Sequence, residues 1–177
     1  MNRHLISISL FILTGVSMSA QTFDWPMWRC DYHRSASTPE QLSGNLYLQW
    51  QAIFSPREPV WDDPLNQDLM HFDRIFEPVV AENKLFLGFN DKDKVVAYDL
   101  LTGDEIWQYY ADGPVRLPMA YNKGILYFTA DDGFCYALDA KSGRRVWRSS
   151  LAPAPDRLLG NKRLISMWPA RGGIVIK

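Results

Sequence analysis

The side chains best suited to chemistry are concentrated in one acidic stretch, residues 55–73. It combines carboxylates and a histidine with aromatic neighbours: Trp61, Asp62, Asp63, Asp68, His71, Phe72 and Asp73. Carboxylate oxygens are the hard ligands that Ca²⁺ and Mg²⁺ prefer. We interpret Asp62, Asp63, Asp68 and His71 as weak candidates for a divalent-cation or ligand site, and a solvated acidic loop flanked by prolines as the simpler alternative.

Other reactive side chains have structural explanations. Three potential metal ligands lie close together in the leader: Cys30, Asp31 and His33. The sequence has no second cluster at ligand spacing, which favours a leader that is packed against the protein. Asp131 and Asp132 precede Gly133 in a hairpin signal and are interpreted as turn formers. Cys30 and Cys135 are the only cysteines. A disulfide between them is possible in an exported protein, although the strand position of Cys135 favours a small buried core residue.

Catalytic motifs are not recognisable in the sequence. It has no nucleophile elbow, no His-Glu zinc pattern and no glycine-rich phosphate loop. The composition is that of a globular chain, with 47% hydrophobic and 22% charged residues and a formal net charge of −1. This balance does not suggest nucleic acid or an anionic membrane surface as a partner.

The N-terminus resembles a targeting segment. Arg3 and His4 give a basic start, residues 5–16 are apolar, and small residues precede a predicted cleavage site after Ala20. We therefore expect residues 1–20 to be a signal peptide, with a retained anchor as the alternative. After cleavage we expect no membrane span and a periplasmic or secreted location.

Residues 78–147 contain a sequence repeat with an offset of 40 positions. Adding 40 to a residue number carries Pro78 to Pro118 and Trp107 to Trp147, and it matches six further positions between them. The segments between turns are short and rich in Val, Ile, Tyr and Phe. A repeat of about 40 residues made of such segments is typical of a four-stranded propeller blade. The sequence therefore predicts an all-β propeller of antiparallel blades.

Each copy ends in a turn followed by a tryptophan strand. An aspartate, a glycine and a tryptophan recur in this order, with Trp50 as an earlier tryptophan strand: Asp99, Gly103, Trp107, Asp139, Gly143 and Trp147. The glycines stand where the backbone needs a positive φ. Each indole is large enough to fill the space between adjacent blades, so we expect these residues to have a structural docking role.

The pattern A-x-D-x-x-[ST]-G-x-x-[VI]-W at 97–107 and 137–147 resembles the tryptophan-docking repeat of pyrroloquinoline-quinone-like β-propellers. The surrounding residues, roughly 24–177, resemble exported proteins of that superfamily. The resemblance implies the fold, but it is shared by quinoprotein dehydrogenases, outer-membrane assembly scaffolds and uncharacterised secreted proteins. In the dehydrogenases it implies pyrroloquinoline quinone and calcium in a central funnel and often a pair of adjacent cysteines, which is absent from this sequence.

Blade spacing predicts the layout of the whole chain. After the signal peptide we expect a leader at 21–44, a closing strand at 45–53, an insertion at 54–76, blades at 77–110 and 115–150, an insertion at 151–171 and the start of another blade at 172–177. We expect the strands of the blades near 77–81, 84–89, 94–99 and 104–109, then near 117–121, 124–129, 133–138 and 144–149. The layout predicts an N-terminal part of a longer propeller.

The second insertion is basic where the first is acidic. Its cationic residues are Arg157, Lys162, Arg163 and Arg171. These residues have two possible roles: they could pair with the acidic insertion across one end of the propeller, or they could bind an anionic ligand. We favour pairing.

The sequence favours a non-catalytic exported module that binds a protein partner or a small ligand through its insertions, or serves as a scaffold. The alternative is a periplasmic oxidoreductase that depends on pyrroloquinoline quinone and acts on alcohols or sugars. Calcium and the quinone are possible cofactors under that alternative. Cofactor-binding residues, the ligand and the number of blades are not specified by these residues.

Any divalent cation bound through the acidic stretch should depend on Asp62, Asp63 or Asp68. Calorimetric titration of the full-length protein with calcium should then show binding that is lost when all three are changed to asparagine, because asparagine lacks the negative charge. Absence of binding heat in the folded parent protein would assign these residues to a solvated loop.

Overall fold

The computed structural model describes residues 23–42, 44–55, 76–160 and 163–177. These residues form ten strands and no helix: β1 (Val79–Ala81), β2 (Lys84–Phe89), β3 (Lys94–Asp99), β4 (Glu105–Tyr110), β5 (Ala120–Asn122), β6 (Ile125–Thr129), β7 (Phe134–Asp139), β8 (Arg145–Ser150), β9 (Arg157–Gly160) and β10 (Arg163–Ser166). Strands β1–β4 form one antiparallel sheet and β5–β8 form a second, each in sequence order. The predicted class, four-stranded antiparallel blades, is confirmed.

The turn that precedes each tryptophan strand is built by an aspartate. The Asp99 carboxylate accepts hydrogen bonds of 2.9 Å from the backbone N–H groups of Leu101 and Thr102. Gly103 then donates its N–H to the Asp99 carbonyl over 2.9 Å and has a φ of +78°. The left-handed region is costly for residues with a Cβ, so glycine suits this position. The Asp139–Gly143 turn repeats these features, with a φ of +70° at Gly143.

The two blades differ in length by one residue within the repeat. Lys84 pairs with Asp99 in the first blade, whereas Ile125 pairs with Asp139 in the second. The aspartates are 40 residues apart and their partners are 41 apart. The difference arises in the turn between the second and third strands. This turn has four residues, 90–93, in the first blade and three residues, 131–133, in the second.

This difference corrects the sequence alignment of the second strands. The structural equivalent of Phe86 is Tyr127, not Leu126 as the uniform offset predicts. Phe86 lies 5.9 Å from the ring of Trp107, and Tyr127 lies 6.0 Å from the ring of Trp147. Leu126 instead belongs to the buried cluster between the two blades. A one-residue slip in a strand exchanges its two faces, which is why the alignment placed the wrong residue on this face.

Indole rings pack directly against the glycine turns. The Trp107 indole N–H donates to the Ala140 carbonyl over 3.1 Å, and a Cβ at Gly143 would lie 2.5 Å from the same ring. Trp50 repeats this contact one blade earlier, donating to the Leu100 carbonyl over 2.9 Å. Its ring would lie 2.7 Å from a Cβ at Gly103. The close approach therefore needs glycine at both turns.

The core fills the space between the blades. Phe86, Val95 and Trp107 face it from the first blade, and Leu126, Phe128 and Tyr136 are among the residues that face it from the second. Phe128 and Tyr136 stack with ring centroids 4.8 Å apart and planes 2° from parallel. The other face of the first blade carries Phe89, which is covered by Phe54 and Phe76. Burial of this apolar area is the main stabilising contribution.

Parts of the predicted layout differ in local structure. Within the described residues, no strand is assigned to 45–53 or to 172–177, and each lacks a neighbouring strand to pair with there. The predicted insertion at 151–171 contains the hairpin β9–β10, which pairs Leu164 with Leu159. A closing strand at 45–53 and a starting strand at 172–177 therefore stay proposals. The predicted signal peptide, residues 1–20, lies outside the described residues.

Trp107→Ala should lower the free energy of unfolding by about 3–5 kcal/mol, because it removes a buried aromatic ring and leaves a cavity between blades. Trp147→Ala is the matched control, since Trp147 is 42% exposed and Trp107 is 9% exposed. We expect it to cost about 1 kcal/mol or less. Urea unfolding of both variants measures the difference. Equal losses of stability would show that the contact with the glycine turn contributes nothing beyond ordinary ring packing.

Candidate functional site

Strand direction places several loops at one end of the two blades. Because antiparallel strands alternate, the turns at 90–93 and 131–133 lie at the same end as the segments that leave each blade, 111–119 and 151–171. We call this the connecting end. The Asp99–Gly103 and Asp139–Gly143 turns lie at the opposite end. The candidate site is built at the connecting end.

A buried carboxylate is held there between two arginines. Asp131 is 1% exposed and accepts a hydrogen bond of 2.6 Å from Arg116 Nε. Arg171 donates to the two oxygens of the same carboxylate, over 3.0 Å and 2.9 Å. The sequence predicts Asp131 as a turn former rather than a metal ligand, and it gives no signal for the ion pairs because Arg171 is 40 residues away. Asp132 does form the turn, accepting the N–H of Phe134 over 3.1 Å.

A second arginine of the same segment reaches the first blade. Arg163 donates to the carboxylate of Asp93 and to the backbone carbonyl of Asp91. Burial raises the pKa of the Asp93 carboxyl, while the Arg163 charge opposes this rise. Arg163 is thus bound to the first blade and Arg171 to the second. We call the contacts of Asp93, Arg116, Asp131, Arg163 and Arg171 the ionic clamp.

Backbone hydrogen bonds add to the ionic clamp. Ser166 donates its N–H to the Asp131 carbonyl over 2.8 Å, and Leu151 donates to the Gly133 carbonyl over 2.9 Å. The segment 151–171 is therefore fixed across the turns of both blades. Two of its predicted cationic residues, Arg163 and Arg171, pair with carboxylates of the blades, whereas the acidic residues of the first insertion, their predicted partners, lie outside the described residues. Arg157 is exposed, and Lys162 lies outside the described residues.

The leader runs along the innermost strands of both blades. Trp25 and Val80 exchange two backbone hydrogen bonds, of 2.7 Å and 2.9 Å, and Tyr121 of β5 donates its N–H to the Pro26 carbonyl over 2.7 Å. Met27 is only 7% exposed. The leader thus touches the first strand of each blade. Packing of the leader was expected from its aromatic residues, but these strand contacts were not.

A cleft of about 240 Å³ opens between the leader and the beginnings of the inner strands. Among the described residues, its lining is apolar apart from two charged side chains: Met27, Trp28, Arg34, Glu77, Leu117, Pro118, Gly173, Ile174 and Val175. The Arg34 guanidinium lies 4.9 Å from the centre of the Trp28 ring. A concave apolar site with a few charged groups is the usual form of a ligand-binding site.

The predicted metal candidates receive no structural description. Asp62, Asp63, Asp68 and His71 lie outside the described residues. In the part of the chain that is described, no group of three or more His, Cys, Asp or Glu side chains could hold a metal ion. Asp31 accepts hydrogen bonds from Ser35 instead.

The two cysteines are free thiols in the structure. Cys30 and Cys135 are both half-buried, and burial raises the pKa of each thiol. Val95, the counterpart of Cys135 in the first blade, is fully buried between the blades. The face of the second blade that carries Cys135 is therefore more open than the equivalent face of the first.

A protein-family model described as outer membrane protein assembly factor BamB matches residues 47–170. The chain belongs to this family of PQQ-like β-propeller repeat proteins. The resemblance seen in the docking repeats is thereby confirmed. The described residues contain no helix with the length and apolar character that a membrane span requires.

Individual relatives of this PQQ-like chain include enzymes and an assembly factor. The lanthanide-dependent methanol dehydrogenase of Methylacidiphilum fumariolicum (strain SolV) is 27% identical over 143 residues, covering 71% of this chain and 23% of that protein. The outer membrane protein assembly factor BamB of Kangiella koreensis is 28% identical over 109 residues, covering 55% of this chain and 27% of that protein. The chain spans about a quarter of the length of these two relatives.

Solved structures include the quinohemoprotein alcohol dehydrogenase from Comamonas testosteroni. It has a TM-score of 0.46 and 24% identity, and the match covers 72% of this chain and 19% of that chain.

Asp131→Asn should lower the free energy of unfolding by about 3–5 kcal/mol, because it leaves Arg116 and Arg171 beside a buried neutral group. Asp112→Asn is the matched control, since Asp112 also pairs with an arginine, Arg148 at 2.7 Å, but its side chain is 57% exposed. We expect that change to cost about 0.2–1 kcal/mol. Denaturant unfolding of both variants provides the comparison, and similar losses for the two would contradict a buried clamp.

Proposed function

We propose that the chain is part of an exported propeller module that binds a protein partner or a small ligand at the connecting end. The observation that supports this most directly is the cleft beside Trp28 and Arg34. Its walls come from the leader, from both blades and from residues 173–175, so its shape depends on how the blades are held together. We propose a periplasmic or secreted location on the basis of the predicted signal peptide.

The ionic clamp supports a binding role because it fixes the geometry of the same end. Arg163 and Arg171 fasten one segment to both blades through carboxylates that are largely removed from water. Rigid surroundings lower the entropy cost of binding, since fewer side chains must be ordered when the ligand arrives. Similarity to an outer membrane protein assembly factor is consistent with a protein partner.

Glu77 and Arg34 give the cleft both signs of charge. Glu77 is half-buried and lies two residues before β1, and Arg34 belongs to the leader. With apolar side chains between them, the cleft suits an amphipathic ligand or an apolar side chain of a partner flanked by polar groups. A binding role without catalysis requires no nucleophile, acid or base among these residues.

The second candidate is a quinone-dependent oxidoreductase, favoured by the similarity to a methanol dehydrogenase over 71% of the chain. The described residues fit its cofactors only in part. Trp28 and Arg34 offer an aromatic ring and a cation, but the described residues offer no acidic cluster that would form a calcium site. We therefore derive no reaction step from the described residues.

Site-specific photo-crosslinking in the native host tests the binding function. A photoreactive amino acid replaces Arg34 at the cleft or, as a control, the exposed Lys141 at the opposite end. We expect a protein adduct from position 34 and none from position 141. If the ligand is small, native mass spectrometry of the purified protein should instead show a retained mass that Arg34→Ala removes. Equal adducts at both positions, or neither an adduct nor a retained mass, would contradict the proposal.

A redox assay separates the two candidate functions. The purified full-length protein is mixed with pyrroloquinoline quinone, calcium, an alcohol and an electron-accepting dye. A binding module should leave the dye unreduced. Alcohol-dependent dye reduction above that of the heat-denatured protein would establish the oxidoreductase instead.

A further inference from the structure

We propose that the inner edges of the two blades form a strand-addition site for an extended peptide, and that the chain's own leader, residues 24–27, fills it here. This inference extends the proposed binding function to the strand edge beside the cleft. Met27 belongs to both sites, but the inference does not depend on any ligand in the cleft. The leader would then act as an internal ligand that competes with a partner peptide.

The inner strands have an edge that their own sheets leave open. Among the strands of the described residues, β1 and β5 are each the first strand of a blade, and each pairs on one side, with β2 and β6 respectively. An open strand edge presents rows of unpaired N–H and C=O groups, which are a template for another extended segment. Extended peptides are commonly recognised in this way, with main-chain hydrogen bonds giving affinity and side-chain pockets giving specificity.

The leader uses this edge as an added strand would. Trp25 both donates to and accepts from the backbone of Val80, over 2.7 Å and 2.9 Å. The contact continues to the second blade, where Tyr121 donates its N–H to Pro26 over 2.7 Å. At the other side, the Asp24 carboxylate accepts the N–H of Glu82 over 3.2 Å. One short segment thus bonds to the inner strands of both blades.

The strand pairing of the leader is short. Its pairing with β1 is a single isolated bridge, not a ladder of several residue pairs. Four residues that follow, none of them glycine, have left-handed backbone: Arg29 (φ 57°), Cys30 (φ 79°), Arg34 (φ 58°) and Ala36 (φ 53°). This conformation is disfavoured for residues with a Cβ. A segment that is joined to a sheet by few strand-pairing bonds and is followed by such conformations opens more readily than the central strands.

The leader's contacts define the chemistry of a competing peptide. Its first residue needs an acceptor such as a carboxylate for the Glu82 N–H, and its second needs a free N–H and C=O for Val80. The third needs only a carbonyl, which explains why proline is tolerated at position 26. The fourth should be apolar, because Met27 is buried.

Peptide binding to the full chain tests this site. The probe is a fluorescein-labelled peptide with the sequence of residues 23–28, and the chain variant is Trp25→Pro. Proline at position 25 removes the N–H that the leader donates to the Val80 carbonyl and leaves both blades unchanged. The variant should bind the peptide about tenfold more tightly than the parent chain, because the internal competitor is weakened.

A control peptide with the same Trp25→Pro change should bind the variant chain about tenfold more weakly than the unmodified peptide, since it also lacks that donor. Equal binding of the two peptides, equal binding by the two chains, or no binding to the folded variant would overturn the proposal. Crosslinking at position 34 is measured on the parent chain without added peptide, so its result does not depend on whether a peptide displaces the leader, and the two proposals can fail separately.

Hydrogen exchange of the unmodified chain gives a second measurement that does not require the variant to fold. The backbone amides of Val80 and Tyr121 should exchange faster than the amides of the central strand β3, and excess peptide should slow them. Exchange of all these amides at the rate of global unfolding would show that the leader never leaves the edge, which would also overturn the proposal.

Discussion

The contact between a tryptophan ring and a glycine turn sets the distance between neighbouring blades. Trp107 covers Gly143 and donates to the Ala140 carbonyl, and Trp50 makes the same contact with Gly103 and Leu100. Each contact combines close packing of the ring against the turn with a directional hydrogen bond. The packing needs a turn residue without a Cβ, and the indole N–H needs a carbonyl acceptor. The buried cluster containing Phe86 and Leu126 can close only when this spacing is correct.

Electrostatic contacts stabilise the connecting end, away from the tryptophan contacts. Asp131 is removed from water but receives donors from Arg116 and Arg171, so its charge is compensated. Such a pair contributes little to net stability compared with an apolar core, but breaking it is costly, which makes its geometry specific. The clamp and the leader together bring the starts of β1 and β5 to the walls of the cleft. A site at this end therefore depends on contacts that lie outside the repeat.

The elements that repeat locally could be predicted from the sequence. Period-two patterns and the Asp-Gly turns located all eight strands of the two blades to within a few residues, because these signals act over short sequence distances. The shift from Leu126 to Tyr127 could not be seen, since a turn one residue shorter leaves most repeat matches intact. Pairing of Arg163 with Asp93 joins residues 70 apart and has no periodic signal. The bridge from Trp25 to Val80 likewise depends on where the folded blades leave an open edge.

Solvent exchange of the indole N–H protons, followed by NMR, tests the role of the tryptophan contacts most directly. We expect the Trp107 and Trp50 indole protons to exchange slowly, because both are bonded to turn carbonyls, and the proton of the half-exposed Trp147 to exchange quickly. The difference should disappear on unfolding in urea. Equally fast exchange of Trp107 and Trp147 in the folded chain would contradict the central claim that the indole contact joins the blades.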